Sequence, residues 1–158
     1  MIRIGQSTDI HRLVEGRDLI IGGVKIEHHL GLLGHSDADV LLHAVAEAII
    51  GALALKDIGT HFSDKDPQYK GIDSMILLEK TYEMMKDRGY HIGNVDCLVM
   101  IEKPKMAPYI ETMRNNIAKA LHTEIENVNV KATRGEGLGF VGEEKGVQAQ
   151  AVVLITND

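Results

Sequence analysis

The chain has 158 residues, of which 44% are hydrophobic and 25% charged, and its formal net charge is −6. These values predict one soluble globular domain with its own core. No apolar run is long enough for a membrane span, and the negative charge argues against non-specific nucleic-acid binding. The single cysteine, Cys97, excludes an internal disulfide and is compatible with a reducing compartment. We therefore expect a cytoplasmic or organelle-matrix protein and favour the cytoplasm. We expect no membrane or nucleic-acid partner.

The first half of the chain predicts a strand, a hairpin and a long helix. Residues 2–6 alternate as a strand, and residues 18–28 predict a hairpin around two consecutive glycines. Residues 35–55 predict a helix, because apolar residues recur at helical spacing. Ser36 followed by Asp39 matches a capping box and would start this helix. A loop rich in Asp, Gly and Pro follows at residues 56–71.

The second half alternates helices with strands. In chain order we predict a helix from Asp73 or Ser74 to Gly89, a strand over 94–104, a helix over 108–122, a strand over 128–133, a Gly-rich loop and a strand over 147–155. The whole order predicts an α+β fold, with one domain over residues 1–158. Its mixed β-sheet would be covered on one face by about three helices.

Asp9 and His11 are the first candidate site residues. Side chains two residues apart in a strand point to the same side, so the carboxylate and the imidazole would lie side by side and could bind the same ligand. The pair would form half of a zinc site. A surface ion pair or a polar strand end explains the same pattern.

The long helix carries a second polar set. Asp39, His43 and Glu47 are spaced four residues apart and form one stripe, which is either solvated or functional. His35 and Ser36 stand at the predicted start of this helix. Free N–H groups and the helix dipole favour an anion such as phosphate at that position.

Two loops are further candidates. The loop at residues 57–66 is rich in Asp, and a plain acidic loop explains it equally well. The loop after residue 132 begins with Thr133, Arg134, Gly135 and Glu136. A hydroxyl and a close glycine backbone suit a phosphate, and a carboxylate suits a hard cation, although Gly-rich loops often serve only to turn the chain.

These stretches together resemble one protein family. "RIGQSTDIHRL", "GHSDADVLLHA", "KDIGTHFSDKD", "MIEKPKM" and "NVKAT" match, in this order, the 2-C-methyl-D-erythritol 2,4-cyclodiphosphate synthases of the non-mevalonate isoprenoid pathway. The resemblance extends from residue 3 to about residue 155. No single stretch is specific, but the combination is.

The resemblance implies roles for particular residues. Asp9, His11 and His43 would bind one Zn²⁺ per subunit, and Glu136 would bind a second cation, Mg²⁺ or Mn²⁺, with the substrate. His35 and Arg134 would be catalytic, with Ser36 next to the substrate phosphate. The other implied substrate-binding residues are Asp57, Ile58 and Gly59 at the ribose, Phe62, Ser63, Asp64, Lys65 and Asp66 at the methylerythritol, Ile101, Lys105, Met106 and Ala107 at the cytosine, and Thr133, Gly135 and Phe140.

The implied reaction is a metal-dependent cyclisation. The 2-phosphate of 4-diphosphocytidyl-2-C-methyl-D-erythritol 2-phosphate would attack the β-phosphorus and release CMP, as expected of a phosphorus–oxygen lyase. The family also implies a homotrimer with active sites between subunits. A zinc-dependent nucleotide phosphoesterase and a non-catalytic trimeric binding protein are the alternatives.

Six positions depart from the family pattern. Arg134 and Gly135 replace the usual Thr and a polar residue, and Glu47 replaces a common Asp. Glu143 and Gln150 replace residues that border the central cavity of the family trimer, as does Thr8. Arg134 is the departure closest to the predicted chemistry, because a guanidinium either assists a phosphate or obstructs it.

Overall fold

The first strand is much longer than its sequence predicted. In the computed structural model, which describes residues 1–158, β1 spans Ile2–Val14. Its residues 2–12 pair with the last strand, and its final two residues pair with Gly31 and Leu32. The prediction that the strand ends at residue 6 is wrong, because pairing with the last strand holds the polar residues up to Arg12 in extended conformation. Asp9 and His11 therefore lie inside a strand and not at its end.

The elements follow one another in a mixed order. After β1 come β2 (Leu19–Ile21), β3 (Val24–Ile26), β4 (Gly31–Leu32), α1 (Val40–Ala52), α2 (Ile58–His61), α3 (Ser74–Lys86), β5 (His91–Met100), α4 (Ile110–Ala120), β6 (Val128–Thr133), α5 (Gly139–Gly142) and β7 (Gly146–Thr156). β2 and β3 form the predicted hairpin. Short 3₁₀ turns precede α3, α4 and β6.

Five strands form one sheet in the order β4-β1-β7-β5-β6. β5 and β6 are parallel, whereas β1, β7 and β5 pair antiparallel, so the sheet is mixed as predicted. Three long helices and two single-turn helices complete a single α+β domain. β5 begins three residues and ends four residues earlier than predicted, because His91 pairs with Thr156 and the ladder stops at Met100.

One face of the sheet carries the core. Alternate residues of β5 and β7 point towards α1 and are almost fully buried, and they include Val99, Ala149 and Ala151. Cys97 belongs to the same row, and burial raises the pKa of its thiol to about 12. Cys97 is therefore inert packing, as predicted. No helix of the chain is long and apolar enough to cross a membrane.

The start of α1 differs from the prediction. Asp39, and not Ser36, is the N-cap, and its carboxylate accepts a hydrogen bond from the Leu42 N–H at 3.0 Å. The same carboxylate accepts the N–H groups of Gly22 and Gly23 in the β2–β3 turn. The capping-box prediction is wrong, because Asp39 is fully buried by a turn that is distant in sequence.

Candidate functional site

Three side chains from two elements converge beside the sheet. Asp9 and His11 point from β1 towards α1, where His43 lies one turn inside the helix. Oδ2 of Asp9 lies 2.9 Å from His11 Nε2 and 3.3 Å from His43 Nδ1. The two ring nitrogens are themselves 3.3 Å apart. Each residue offers one ligand atom, and these atoms all lie within 4.8 Å of one another.

The other nitrogen of each imidazole is already bonded. His11 Nδ1 lies 2.8 Å from the carbonyl oxygen of Leu33, which can only accept, so Nδ1 carries the hydrogen. His43 Nε2 lies 2.8 Å from the Ser74 hydroxyl and 3.2 Å from the Ser36 hydroxyl. When both rings are neutral they turn lone pairs towards Asp9, and its buried Oδ2 then receives no hydrogen bond.

The carboxylate of Asp9 and the free ring nitrogens of His11 and His43 together favour the binding of a positive charge. Burial raises the pKa of Asp9, but His11 and His43 outweigh that effect and lower it to about 2. For His11 the signs are opposite. Burial lowers the pKa of its imidazole, but the hydrogen bond and the charge of Asp9 raise this pKa above its ordinary value. A divalent cation with nitrogen and oxygen ligands fits the same place, and three protein ligands leave a fourth position open.

The triad lies in a cleft of about 380 Å³, which we call the first cleft. Its predicted lining residues are Asp9, His11, His35, Ser36, His43, Ile58, Gly59, Phe62 and Asp64, and it also includes Gly34, Tyr69 and Leu77. Leu77 was missed because its spacing is that of an ordinary helix core residue, and Tyr69 because it stands in a segment that we predicted only as a loop. Asp57, Ser63, Lys65 and Asp66 do not line this cleft.

The loop above the triad is fastened by its own polar groups. Asp57 caps α2 by accepting the N–H and hydroxyl of Thr60, and Asp66 caps the following 3₁₀ turn. His35 Nε2 lies 2.9 Å from the carbonyl oxygen of Asp66, which ties the segment before α1 to this loop. Because α1 begins only at Val40, the prediction that His35 and Ser36 form its first turn is wrong.

The predicted polar stripe on α1 is divided. Asp39 is a buried cap, His43 joins the triad, and Glu47 is half-buried one turn further along. Burial, together with the charges of Asp9 and Asp57, raises the pKa of Glu47. The interpretation of the stripe as a solvated face is therefore wrong for Asp39.

A second cleft, of about 350 Å³, lies where β5 and β6 end side by side. It brings together the predicted residues Ile101, Lys105, Met106, Ala107, Thr133, Arg134 and Glu136, and adds Glu102, Pro104 and Ala132. Glu102 accepts the N–H of Gly135 at 2.8 Å and so joins the two loops that form the walls. Glu102 lies within the stretch 101–107 that the sequence assigned to the cytosine, but it was given no role of its own.

The two clefts have no residue in common. Glu136 belongs to the second cleft, so the chain does not bring it to Asp9, His11 and His43. Phe140 lines neither cleft and instead packs in a smaller depression beside His11 and Lys145. One chain thus separates the two groups of predicted site residues.

Comparison with known proteins decides the family. The model of the YgbB family matches residues 2–156. The chain belongs to the YgbB family. A relative named 2-C-methyl-D-erythritol 2,4-cyclodiphosphate synthase, from Bacillus cereus (strain ATCC 10987 / NRS 248), is 57% identical over 155 residues, which are 98% of each chain. The resemblance predicted from the sequence motifs is therefore confirmed.

Solved structures of this family have the same fold. Bifunctional IspDF from Campylobacter jejuni superposes with a TM-score of 0.94 at 38% identity, over 98% of this chain and 42% of that one. The chain thus spans less than half the length of that bifunctional protein. IspF from Plasmodium falciparum, solved as a CDP complex, superposes with a TM-score of 0.85 at 35% identity, over 98% of this YgbB chain and 95% of that one.

Proposed function

We propose that this chain converts 4-diphosphocytidyl-2-C-methyl-D-erythritol 2-phosphate to 2-C-methyl-D-erythritol 2,4-cyclodiphosphate and CMP, in the non-mevalonate isoprenoid pathway. The observation that carries the proposal is the triad of Asp9, His11 and His43 on the wall of a cleft. Relatives at 57% and 56% identity bear the synthase name. In the reaction a 2-phosphate oxygen bonds to the β-phosphorus, and the bond from that phosphorus to the oxygen retained by CMP breaks.

The donor set of the triad fits Zn²⁺, with two imidazoles and one carboxylate. When bound, such a cation would act as a Lewis acid on phosphate oxygens and would screen their charge. Asp9 supplies the negative charge of the site, and the hydrogen bonds from His11 and His43 keep their free nitrogens directed at it. Glu136, exposed in the second cleft, is proposed to hold Mg²⁺ or Mn²⁺ together with the substrate.

The side chains would act mainly by positioning. The nucleophile is already an ionised phosphate, so no general base is needed. Catalysis would therefore come from alignment of the reacting groups and stabilisation of their charge. His35 and Ser36 would hold phosphate oxygens in the first cleft. Thr133, Gly135 and Lys105 would hold the diphosphate in the second. The residues of α2 and the loop after it would enclose the ribose and the methylerythritol.

We propose that the substrate contacts two clefts that belong to neighbouring chains. The clefts share no residue, so we propose a homotrimer in which the first cleft of one subunit faces the second cleft of its neighbour. The uncovered face of the sheet supports this assembly, because Ile4, Ile10 and Val152 are 69%, 53% and 49% exposed on adjacent strands. Exposed apolar surface of this kind marks interaction sites. Sedimentation equilibrium tests the trimer, and a monomeric mass would contradict it.

Product analysis tests the reaction itself. Phosphorus NMR of the purified protein with substrate and Mg²⁺ should reveal a cyclic diphosphate together with one CMP per turnover. A linear hydrolysed product would instead identify a zinc phosphoesterase. Absence of turnover with retained CDP binding would identify a non-catalytic binding protein.

The second cleft should distinguish cytosine from uracil. None of the backbone N–H groups of Glu102, Lys103, Lys105 and Met106 donates a hydrogen bond within the chain, so they are available to a base. Uracil presents a hydrogen where cytosine presents the N3 acceptor, which would leave a buried donor unpaired at a cost of about 1–3 kcal/mol. We expect calorimetry to give about 5- to 150-fold weaker binding of UDP than of CDP. Equal affinity would remove the cytosine pocket from this proposal.

Arg134 is expected to assist turnover. Its guanidinium is exposed in the second cleft and makes no ion pair within the chain, whereas Glu143 and Glu144 pair with Lys145 and Lys103. It is therefore free to form bidentate bonds with phosphate. The Arg134→Thr variant should have a kcat about tenfold lower, which corresponds to about 1.4 kcal/mol of transition-state stabilisation. A gain of activity in this variant, from an inactive parent, would identify the chain as a non-catalytic member.

A further inference from the structure

A second layer of polar residues lies behind His43. Ser74, the first residue of α3, is 1% exposed, and its hydroxyl stands between His43 Nε2 and the carboxylate of Asp37. Asp37 also accepts the backbone N–H groups of Ser74 and Asp39, both at 3.0 Å. Asp37 is thereby fixed in place by two separate segments of the chain.

The direction of these hydrogen bonds follows from the groups involved. An ionised carboxylate only accepts, so the single hydroxyl hydrogen of Ser74 goes to Asp37. The Ser74 oxygen is then left as an acceptor, and its partner at 2.8 Å, His43 Nε2, must carry a hydrogen. A neutral imidazole with its hydrogen on Nε2 has its lone pair on Nδ1, which is the atom facing Asp9 and His11.

We infer that Ser74 and Asp37 are positioning residues which fix the tautomer and ring orientation of His43 for metal binding. This inference rests on the proposed metal site. The two imidazoles of the triad are thus set by different means. His11 is held by a backbone carbonyl, that of Leu33, which no substitution removes. His43 depends on side chains, so its tautomer is open to mutation.

Loss of the Ser74 hydroxyl should move the hydrogen of the His43 ring from Nε2 to Nδ1. The remaining neighbour of His43 Nε2 is the Ser36 hydroxyl at 3.2 Å. Its oxygen accepts the Ala38 N–H, and its hydrogen is free to be donated. A ring that accepts this hydrogen at Nε2 carries its own hydrogen on Nδ1, which blocks the ligand atom. Groups that orient a metal-binding histidine typically change metal affinity by about 10- to 100-fold.

The test compares Ser74→Ala with Thr81→Val. Thr81 is fully buried on the same helix, and its hydroxyl bonds only to the Leu77 carbonyl, so its replacement removes a similar group away from the site. Competition with a chromophoric chelator should show Zn²⁺ bound about 10- to 100-fold more weakly by Ser74→Ala, with Thr81→Val unchanged. Equal affinity of Ser74→Ala and the unmodified protein would overturn the inference. Absence of Zn²⁺ binding by the unmodified protein would instead overturn the proposed metal site.

A second measurement needs no metal. Two-bond nitrogen–proton couplings in the ¹⁵N-histidine-labelled, metal-free protein at alkaline pH report the tautomer of each neutral ring. We expect the hydrogen of His43 on Nε2 and that of His11 on Nδ1, and a shift of His43 towards Nδ1–H in Ser74→Ala. A His43 hydrogen on Nδ1 in the unmodified protein would contradict the inference, whatever the stability of the variants.

Discussion

Replacing His43 with alanine should abolish stoichiometric zinc binding. The unmodified protein should carry about one Zn²⁺ per chain. His43→Ala removes one of the three ligand atoms and leaves Asp9 and His11 on a strand with no partner from α1. The affinity should fall by more than about 100-fold, because loss of a direct ligand exceeds the effect of an outer residue. Metal analysis after gel filtration and chelator competition measure this change.

His29→Ala is the matched control for this variant. His29 is exposed and lines neither cleft, so its replacement should leave the zinc content unchanged. Circular dichroism of both variants checks that the fold is retained. Full zinc content in His43→Ala would contradict the assignment of the triad as the metal site.

Replacing Gly5 with alanine should destabilise the protein severely. Gly5 lies in the inward-facing row of β1 that also carries Asp9 and His11, and α1 crosses directly over it. A Cβ at this position would overlap the carbonyl oxygen of Ala48 and lie 2.7 Å from the amide nitrogen of Ala52. Backbone atoms of a helix cannot yield as a flexible side chain can. We expect a loss of about 3 kcal/mol in the free energy of unfolding, measured by denaturant titration.

Gly51→Ala provides the opposite expectation within the same helix. Gly51 is an exposed residue of α1, and a Cβ added there meets no atom within 4 Å. Alanine should stabilise the helix by about 0.5–1 kcal/mol. Gly5→Ala should also weaken zinc binding, because displacing α1 from β1 separates His43 from Asp9. Equal stability of the two variants would mean that the close approach of α1 does not limit the fold.

Local signals in the sequence predicted some elements well. The consecutive glycines at positions 22 and 23 both adopt positive φ, and the hairpin forms around them. α3 begins after Asp73, as its capping residue predicts. The two-residue period of a strand likewise placed Asp9 and His11 on one side. Each of these features depends on residues that are neighbours in sequence.

Features that depend on distant contacts were predicted less well. The length of β1 is set by β7, and the start of α1 is set by a carboxylate buried against the β2–β3 turn. Ser74 and Asp37 could not be recognised, because 37 residues separate two side chains that meet only behind His43. The division of the predicted site between two clefts also required the structure, since sequence order does not tell which loops share a wall.

The position of the last strand has a consequence for synthesis in the cell. β7 lies in the middle of the sheet, between β1 and β5, and pairs Ile2 with Thr156. A ribosome adds about 5–20 residues per second, so the first strand waits about 8–30 seconds for its partner. The hairpin and the early helices have no such delay. The nascent chain must therefore keep the unpaired backbone edge of β1 away from other chains until β7 has been synthesised, and folding competes with aggregation during that interval.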